Sequence, residues 1–240
     1  MKKAASFALG CKVNQYESEA IAELFAEKGY EIVGIDEEAD VYVINTCTVT
    51  NFGDKKSRQL IRKVKRQNEN AIVAVVGCYA QTAPKELMEI AGVNLVIGTK
   101  DRAQIVEMVE QYDRANGVEN HVSDIMKERV FEPLSIQKLA NRTRAYLKIQ
   151  DGCSQYCSYC IIPYARGPIR SREPQEVVAE VKRLAENGFK EVVLTGIHVA
   201  SYGKDRRDTS LLDILKQVHE VEGIERIRFS SIEPNVVTEE

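Results

Sequence analysis

Short apolar runs alternate with helix-forming segments along the first hundred residues. Strands are predicted at 5–9, 41–45, 72–76 and 95–97, and helices begin near Asn14, Gly53 and Pro84. Strands that alternate with helices of this length pair in parallel through right-handed crossovers. The sequence therefore predicts an α/β fold that begins with an open parallel-sheet domain, of the flavodoxin or Rossmann type, at residues 1–112.

The start of the first predicted helix has the pattern of a capping box. Asn14 is followed three residues later by Glu17, and Ile21, Leu24 and Phe25 then mark one apolar helix face. We expect Asn14 to cap the helix and Glu17 to bond back to the cap.

A cysteine follows each of the first three predicted strands. Cys11, Cys47 and Cys78 lie in ALGC, INTC and VVGC, one or two residues past the strand. Because the carboxyl ends of parallel strands line one edge of an open sheet, where ligands bind, we expect the three thiols to converge. Taken singly, each cysteine is also explained as an ordinary buried core residue.

The number of ligands favours iron and sulfide over zinc at this edge. Structural zinc takes four ligands, and no histidine is close to these cysteines in sequence. A cluster with one open iron needs only three thiolates. The chain has six cysteines, and since thiols stay reduced inside cells, metal binding or catalysis is expected before disulfides.

A second strand and helix array follows a polar stretch. Residues 113–143 have weak periodicity, apart from one short strand predicted at 118–122, and are interpreted as a linker. Further strands are predicted at 145–150, 192–195 and 227–230, with helices at 174–186 and 211–221. The chain ends inside this array.

The second array opens with a cysteine-rich loop, CSQYCSYC. Cys153, Cys157 and Cys160 have the spacing C-x3-C-x2-C. Three thiolates in one loop can bind three irons of a four-iron cluster and leave the fourth iron for an outside ligand. A zinc knuckle would need a fourth cysteine or histidine, and the next histidine, His198, lies well downstream.

Together, the two cysteine triads resemble those of the radical S-adenosylmethionine (SAM) methylthiotransferases. The resemblance implies an N-terminal methylthiotransferase domain at 1–112, a linker at 113–143 and the first part of a radical SAM partial (β/α) barrel at 144–240. The family completes a partial barrel of about six strands and usually adds a small RNA-binding β-barrel. The chain is therefore interpreted as truncated, a fragment of a longer protein.

The resemblance also implies two [4Fe-4S] clusters, SAM and a reaction. In the family, the loop cluster cleaves SAM reductively to a 5′-deoxyadenosyl radical, which abstracts hydrogen from a substrate carbon. The N-terminal cluster then delivers a sulfur that a second SAM methylates. Carried over by position, Cys153, Cys157 and Cys160 would bind the radical cluster, and an electron donor such as flavodoxin or ferredoxin is implied. The implied ligands of the auxiliary cluster are Cys11, Cys47 and Cys78.

Other residues are assigned by their position in the family pattern. Tyr159 would pack near the adenine of SAM, and Thr195 and Gly196 would approach its methionine amino group. Core packing explains Tyr159 equally well, and a strand-ending turn explains the other two. His198 is the nearest candidate for an acid or base, with a satisfied strand-end histidine as the alternative.

The residues after the first cysteine indicate the substrate. GCKVNQYE, VENHVSDIM and LTGIHVASYG are similar to the branch that acts on N6-threonylcarbamoyladenosine in the tRNA anticodon stem-loop. The isopentenyladenosine branch reads GCQMN and the ribosomal-protein branch reads GCPKN. The resemblance therefore implies methylthiolation at C2 of adenosine 37. Another branch, or a non-catalytic iron–sulfur carrier, remains an alternative.

Local positive charge is compatible with RNA, although the net charge is only -3. Seven cations crowd one predicted helix, a pattern that a solvated helix face also explains: Lys55, Lys56, Arg58, Arg62, Lys63, Lys65 and Arg66. Five arginines flank the cluster loop and would either bind phosphates or pair with carboxylates: Arg142, Arg144, Arg166, Arg170 and Arg172.

The apolar runs are far shorter than the roughly 20 residues that span a bilayer. The N-terminus MKKAASFALGCKVNQ leads into a helix start instead of a small-residue cleavage site. A cytoplasmic protein without a membrane partner is expected.

Overall fold

A computed structural model describes residues 1–48, 51–136, 144–230, 232–233 and 237, without the side chains of residues 51–54. Arg142, one of the arginines considered for phosphate binding, lies outside the described residues. The strands are β1 (Lys3–Ala8), β2 (Glu31–Ile32), β3 (Val41–Thr46), β4 (Ile72–Gly77), β5 (Leu95–Ile97), β6 (Glu119–Asn120), β7 (Arg144–Asp151), β8 (Arg170–Ser171), β9 (Glu191–Gly196) and β10 (Arg226–Phe229). The α-helices are α1 (Lys12–Glu27), α2 (Asn51–Gln67), α3 (Cys78–Thr82), α4 (Pro84–Met88), α5 (Ile105–Gln111), α6 (Ile162–Arg166), α7 (Pro174–Glu186) and α8 (Leu211–His219).

The N-terminal sheet is fully parallel, with strand order β2-β1-β3-β4-β5-β6. Its first five strands follow the flavodoxin order, in which the topological switch point lies between β1 and β3. This confirms the predicted open parallel-sheet α/β fold. The short strand β6 lies inside the segment interpreted as a linker and pairs with β5.

The sequence forms this sheet because its central strands are apolar on both faces. All six residues of β3 are buried, as are five of the six in β4. Parallel strands covered by helices on both sides read as continuous apolar runs. Two separate apolar clusters, one on each face, complete the layers.

The second sheet has the order β10-β9-β7-β8. β7, β9 and β10 pair in parallel, whereas β8 turns back antiparallel to β7. The helices α7 and α8 cover one face and bury Val177, Val181, Ile214 and Val218. This arrangement confirms the predicted second strand and helix array, which forms the opening half of a barrel.

Helix α1 joins the two halves of the molecule. Ile21 and Phe25 pack in the core of the N-terminal sheet, whereas Tyr16 and Ala20 pack in the core of the second sheet. The Tyr16 hydroxyl donates a hydrogen bond of 2.5 Å to the carbonyl of Leu134. Because one helix supplies both cores, the two sheets cannot rotate apart without exposing apolar surface.

The predicted capping box is wrong. Cys11, without a side-chain capping bond, occupies the N-cap position predicted for Asn14, so helix α1 starts at Lys12, three residues earlier than predicted. Asn14 and Glu17 are fully buried. Because the helix begins before them, neither side chain caps it, and both bind other partners. Among the described residues, no helix combines the length and apolar character needed to cross a membrane.

Candidate metal centres

The first three cysteines lie at the carboxyl edge of the N-terminal sheet. Cys11 follows β1, Cys47 follows β3 and Cys78 follows β4. In the β3–β4 pairing Thr46 is opposite Gly77, so the next residues, Cys47 and Cys78, leave adjacent strand ends. Since β1 and β3 flank the topological switch point, the triad lies where open α/β sheets bind ligands.

Gly10 allows Cys47 to approach the Cys11 loop. Its φ of +102° is in the left-handed region, and a Cβ built there would lie 2.7 Å from the Cys47 Sγ. Any side chain at this position would both strain the backbone and displace the thiol. The glycine of the GCKVN motif therefore sets the distance between the first two cysteine-bearing loops.

Asn14 ties these loops together. Its Nδ2 donates to the carbonyl of Leu9 at 2.8 Å and to the carbonyl of Thr46 at 3.0 Å. These are the chain segments that lead into Cys11 and Cys47. The Oδ1 of the same side chain accepts a 3.6 Å contact from the Cys11 thiol. Asn14 thus links two strand ends and one of the candidate ligands.

Arg166 reaches the N-terminal triad from the other half of the molecule. It is fully buried at the end of α6, shortly after the cysteine loop. Its Nε lies 3.1 Å from the Cys78 Sγ, and its Nη2 donates to the Asn14 Oδ1 at 2.6 Å. The third nitrogen, Nη1, donates to Glu17 at 2.5 Å. One guanidinium therefore contacts three groups of the N-terminal domain.

A buried charge cluster surrounds this contact. Glu17 pairs with Arg102 at 2.6 Å and with Lys148 at 2.8 Å, in addition to Arg166. Asp151 pairs with Lys148 at 2.6 Å. The remaining members are Arg170, which pairs with Asp151, and Glu132, which pairs with Arg102. Four cations thus face three carboxylates.

Burial and charge pull the pKa values of this cluster in opposite directions. Burial raises the pKa of Cys78 to about 11, although Arg166 acts to lower it. Burial alone would also raise the pKa of Glu17, but Arg102, Arg166 and Lys148 hold it well below its usual range. The carboxylate is therefore ionised, while a metal-free Cys78 stays protonated and releases its proton on metal binding.

The second triad lies in the loop after β7. Cys153 is buried, Cys157 is exposed and Cys160 is half-buried, and none of the three is in a disulfide. Burial raises the pKa of Cys153, with Cys157 and Cys160 adding to the shift as nearby thiols. The amide of Cys160 donates to the Cys157 carbonyl at 2.9 Å, which closes the loop into a turn.

Gly152 and Gln150 hold this loop against its neighbours. Gly152 has a φ of +71°, and a Cβ there would lie 1.9 Å from the Pro168 carbonyl oxygen. The side-chain Nε2 of Gln150 donates to the carbonyl of Gly152 at 2.6 Å, and its Oε1 accepts from the backbone N–H of His198 at 2.8 Å. Gln150 therefore connects the cysteine loop with the end of β9. Sequence reasoning missed it because an isolated glutamine in a strand carries no motif.

Of the residues assigned to SAM binding, Thr195 and Gly196 lie at the end of β9 and Tyr159 lies in the cysteine loop. Tyr159, between the last two loop cysteines, is 90% exposed. Its ring is therefore not packed in a core formed by the described residues. Thr195 is buried, and among the described groups its Oγ1 has no hydrogen-bond partner. Gly196 pairs with Gln150 at an irregularity between β7 and β9. Both ring nitrogens of His198 have partners, in Ser201 and Gln155, as the structural alternative predicts.

Most arginines near the loop pair with carboxylates. Arg166, Arg170 and Arg172 are buried, and Arg172 pairs with Glu180 at 2.5 Å. The phosphate-binding alternative is therefore wrong for these three, since a buried guanidinium cannot reach a nucleic-acid backbone. Arg144 is exposed and lies over the Tyr146 ring.

Comparison with known proteins assigns both halves of the chain. Residues 3–98 match the family described as Uncharacterized protein family UPF0004, and residues 147–240 match the Radical SAM superfamily. A protein of Bacillus subtilis named threonylcarbamoyladenosine tRNA methylthiotransferase MtaB is 52% identical over 100% of this chain and 53% of its own length. The chain therefore combines a UPF0004 domain with a radical SAM domain, and its whole length is similar to this tRNA methylthiotransferase. The protein of the same name from Aquifex aeolicus is 42% identical over 96% of this chain and 56% of its own.

The chain spans about half the length of the curated relatives it matches. A solved radical SAM methyltransferase, TsrM from Kitasatospora setae with tryptophan and a SAM analogue bound, has a TM-score of 0.53 and 17% identity. The likeness covers 83% of this chain and 48% of that one. At this identity it supports the fold, and it extends across both sheets.

The donor sets of the two cysteine triads suit iron–sulfur clusters. Among the described residues, no three Cys, His, Asp or Glu side chains are close enough together to share one metal ion. Thiolates that each bind a different iron of a cluster stand farther apart than ligands of one ion. All six cysteines are free, and the buried charge cluster beside Cys78, with four cations to three carboxylates, suits an anionic group. The superfamily itself implies one [4Fe-4S] cluster and SAM.

Proposed function

We propose that this chain forms the cluster-binding half of a tRNA methylthiotransferase that converts N6-threonylcarbamoyladenosine at position 37 to its 2-methylthio derivative. The observation that carries the proposal is the joining of two cysteine triads by one buried residue. Arg166 follows the loop triad in sequence and contacts Cys78 of the strand-end triad in space. A radical SAM enzyme that only generates a radical needs no second thiol site at this interface.

Each half of the chain would bind one of the two clusters. Residues 1–112 would form the N-terminal methylthiotransferase domain, residues 113–143 would connect the halves, and residues 144–240 would belong to the radical SAM domain. The radical SAM cluster would be bound by Cys153, Cys157 and Cys160, and a second, auxiliary cluster by Cys11, Cys47 and Cys78. When bound, such clusters supply one-electron chemistry at the loop and a transferable sulfur at the strand ends.

The residues around the loop are suited to orient SAM. Tyr159 offers an exposed ring beside the loop thiols, which would stack on the adenine. Among the described groups the Thr195 hydroxyl oxygen at the end of β9 has no partner, and it would accept from the methionine ammonium. Gly196 lets that group approach the backbone. Gln150 fixes the distance between these strand ends and the cysteine loop.

A tRNA partner is supported by the names of the relatives and by one basic groove. The groove has a volume of about 640 Å³ and is lined by Phe7, Leu9, Lys56, Gln59, Leu60, Arg62, Lys63 and Arg66. Arg62 and Arg66 are exposed on α2, where they would contact phosphates. An acidic electron donor such as flavodoxin or ferredoxin would complete the system. A tRNA substrate would imply a cytoplasmic enzyme, where cysteines are kept reduced.

The test uses the complete protein, with its own C-terminal half, reconstituted anaerobically with iron and sulfide. It is incubated with SAM, a reductant and tRNA from a strain that lacks this modification. We expect 5′-deoxyadenosine and 2-methylthio-N6-threonylcarbamoyladenosine, both detected by mass spectrometry. Methylthio groups on isopentenyladenosine or on a ribosomal protein would show that the enzyme belongs to another branch of the family. Absence of 5′-deoxyadenosine from a fully loaded protein would favour a non-catalytic carrier.

A further inference from the structure

The N-terminal cysteine site contains a side chain from the other domain. Arg166 belongs to α6 of the radical SAM half, yet its guanidinium is fully buried among Cys78, Asn14 and Glu17 of the N-terminal half. We propose that Arg166 is a positioning residue of the auxiliary site, so that this site is complete only when the two domains are docked. The inference rests on the proposed function, because it takes Cys11, Cys47 and Cys78 as cluster ligands.

The shape of the guanidinium explains why an arginine stands here. Its three nitrogens bind three different groups: Nε faces the Cys78 sulfur at 3.1 Å, Nη1 faces Glu17 at 2.5 Å and Nη2 faces Asn14 at 2.6 Å. A lysine ammonium is a point charge and cannot reach all three positions. The planar fork therefore fixes the direction of the Cys78 side chain relative to α1.

Asn14 extends this positioning to the other two thiols. Its Oδ1 accepts from both Arg166 and Cys11, while its Nδ2 holds the carbonyls of Leu9 and Thr46. Thr46 directly precedes Cys47. A single chain of hydrogen bonds thus runs from the radical SAM half to all three cysteine-bearing strand ends.

The charges favour a role toward an anionic ligand over a purely structural ion pair. Four buried cations face three carboxylates in this cluster, and Arg166 is the cation that contacts a sulfur. Each cation has a carboxylate partner, but the cluster carries a net positive charge, and buried net charge is costly unless a negative group balances it. A cluster bound through Cys78 would supply that negative charge. Hydrogen bonds to cluster sulfurs also help to set reduction potentials.

The test compares Arg166→Lys with Arg102→Lys. Both replace a fully buried arginine that binds Glu17, but Arg102 does not contact a cysteine in the described residues. Each change is made in the complete protein that also carries Cys153→Ala, Cys157→Ala and Cys160→Ala, so that any cluster measured is the N-terminal one. The readouts are iron and sulfide content, the rate of iron release to a chelator, and the midpoint potential followed by electron paramagnetic resonance.

For Arg166→Lys we expect iron release to be about 10- to 100-fold faster, which is the size of the affinity loss typical when an outer-shell partner of a metal ligand is replaced. We also expect a more negative midpoint potential, because lysine keeps the positive charge but loses the directed donor to the Cys78 sulfur that stabilises the reduced form. Arg102→Lys should keep the parental potential. Should Arg166→Lys fail to fold by circular dichroism, Arg166→Gln is measured in the same way.

The outcomes separate the two claims. A background protein without bound iron contradicts the proposed N-terminal cluster itself. A loaded background protein whose potential and iron release are unchanged by Arg166→Lys, or changed equally by Arg102→Lys, overturns the role of Arg166 and leaves the cluster in place. A selective change in Arg166→Lys supports the inference.

Discussion

The carboxylate of Glu17 lies 2.8 Å from the ammonium of Lys148, and both side chains are buried although they belong to different domains. They are 131 residues apart in sequence. Lys148 also pairs with Asp151, which directly precedes the cysteine loop. The ion cluster between the sheets therefore connects helix α1, which follows Cys11, with the residue that leads into the cysteine loop.

Glu17→Gln should destabilise the metal-free protein strongly. The change leaves Arg102, Lys148 and Arg166 without their shared carboxylate, and loss of one partner from a buried ion cluster costs about 3–5 kcal/mol. Urea unfolding followed by circular dichroism measures the effect. Glu31→Gln is the control, because its ion pair with Lys3 is exposed and contributes less than about 1 kcal/mol. Equal shifts in the two variants would contradict the assignment of Glu17 as the centre of the cluster.

Acid should weaken the fold through the same carboxylates. Lys148, Arg166 and Arg170 hold the pKa of Asp151 below its usual range although burial acts to raise it, and Glu17 behaves alike. A lowered folded-state pKa gives stability that is present above the unfolded-state pKa, about 4, and is lost as the pH falls toward the folded value.

The contribution of these two carboxylates to the free energy of unfolding should therefore stay constant from pH 7 to about pH 5. Below that pH it should decline. Urea midpoints at several pH values measure this profile, and Glu17→Gln should decline less steeply. A profile that is flat down to pH 3, or equally steep in the variant, would be inconsistent with ionised, paired carboxylates.

Asn14→Ala should impair the N-terminal site and spare the loop site. The variant leaves the carbonyls of Leu9 and Thr46 without their donor, at about 1–3 kcal/mol for each buried group left unpaired. We expect a selective loss of the iron that depends on the strand-end cysteines. Asn68→Ala is the matched control, since Asn68 donates to the Ala39 carbonyl at 2.9 Å away from the cysteines. Equal iron retention in both variants would refute the role of Asn14.

Gly152→Ala should disrupt the loop site. A methyl group there meets the Pro168 carbonyl oxygen at 1.9 Å and also strains a backbone with a φ of +71°. Gly188→Ala provides the control, because its φ is +86° but nothing lies within 4 Å of the added carbon. Only backbone strain, about 1–2 kcal/mol, applies to the control. Iron bound in a Cys11→Ala, Cys47→Ala, Cys78→Ala background should fall for Gly152→Ala alone.

The sequence was sufficient for the features that follow from local patterns. Apolar runs between helices predict the parallel strands β1, β3 and β4, and the position of each cysteine after a strand predicts a shared sheet edge. The short antiparallel strand β8 and the helix α6 were missed, because two to five residues carry too little periodicity.

The interface between the halves could not be predicted. Asn14 and Glu17 matched a capping box, whose local pattern says nothing of partners elsewhere in the chain. Arg166 lies 149 residues from Glu17, and a single sequence does not show that the two meet. The arginines near the loop were considered for phosphates because charge is visible in a sequence, whereas burial against carboxylates is a property of the fold.

The most direct test of the account is the iron and sulfide content of the reconstituted protein and of its Cys11→Ala, Cys47→Ala, Cys78→Ala variant. Two four-iron clusters predict about eight irons per chain in the parent and about four in the variant. This result would establish the strand-end thiols as a second cluster site. About four irons in both proteins would contradict the two-cluster account, since the strand-end cysteines would then bind no iron.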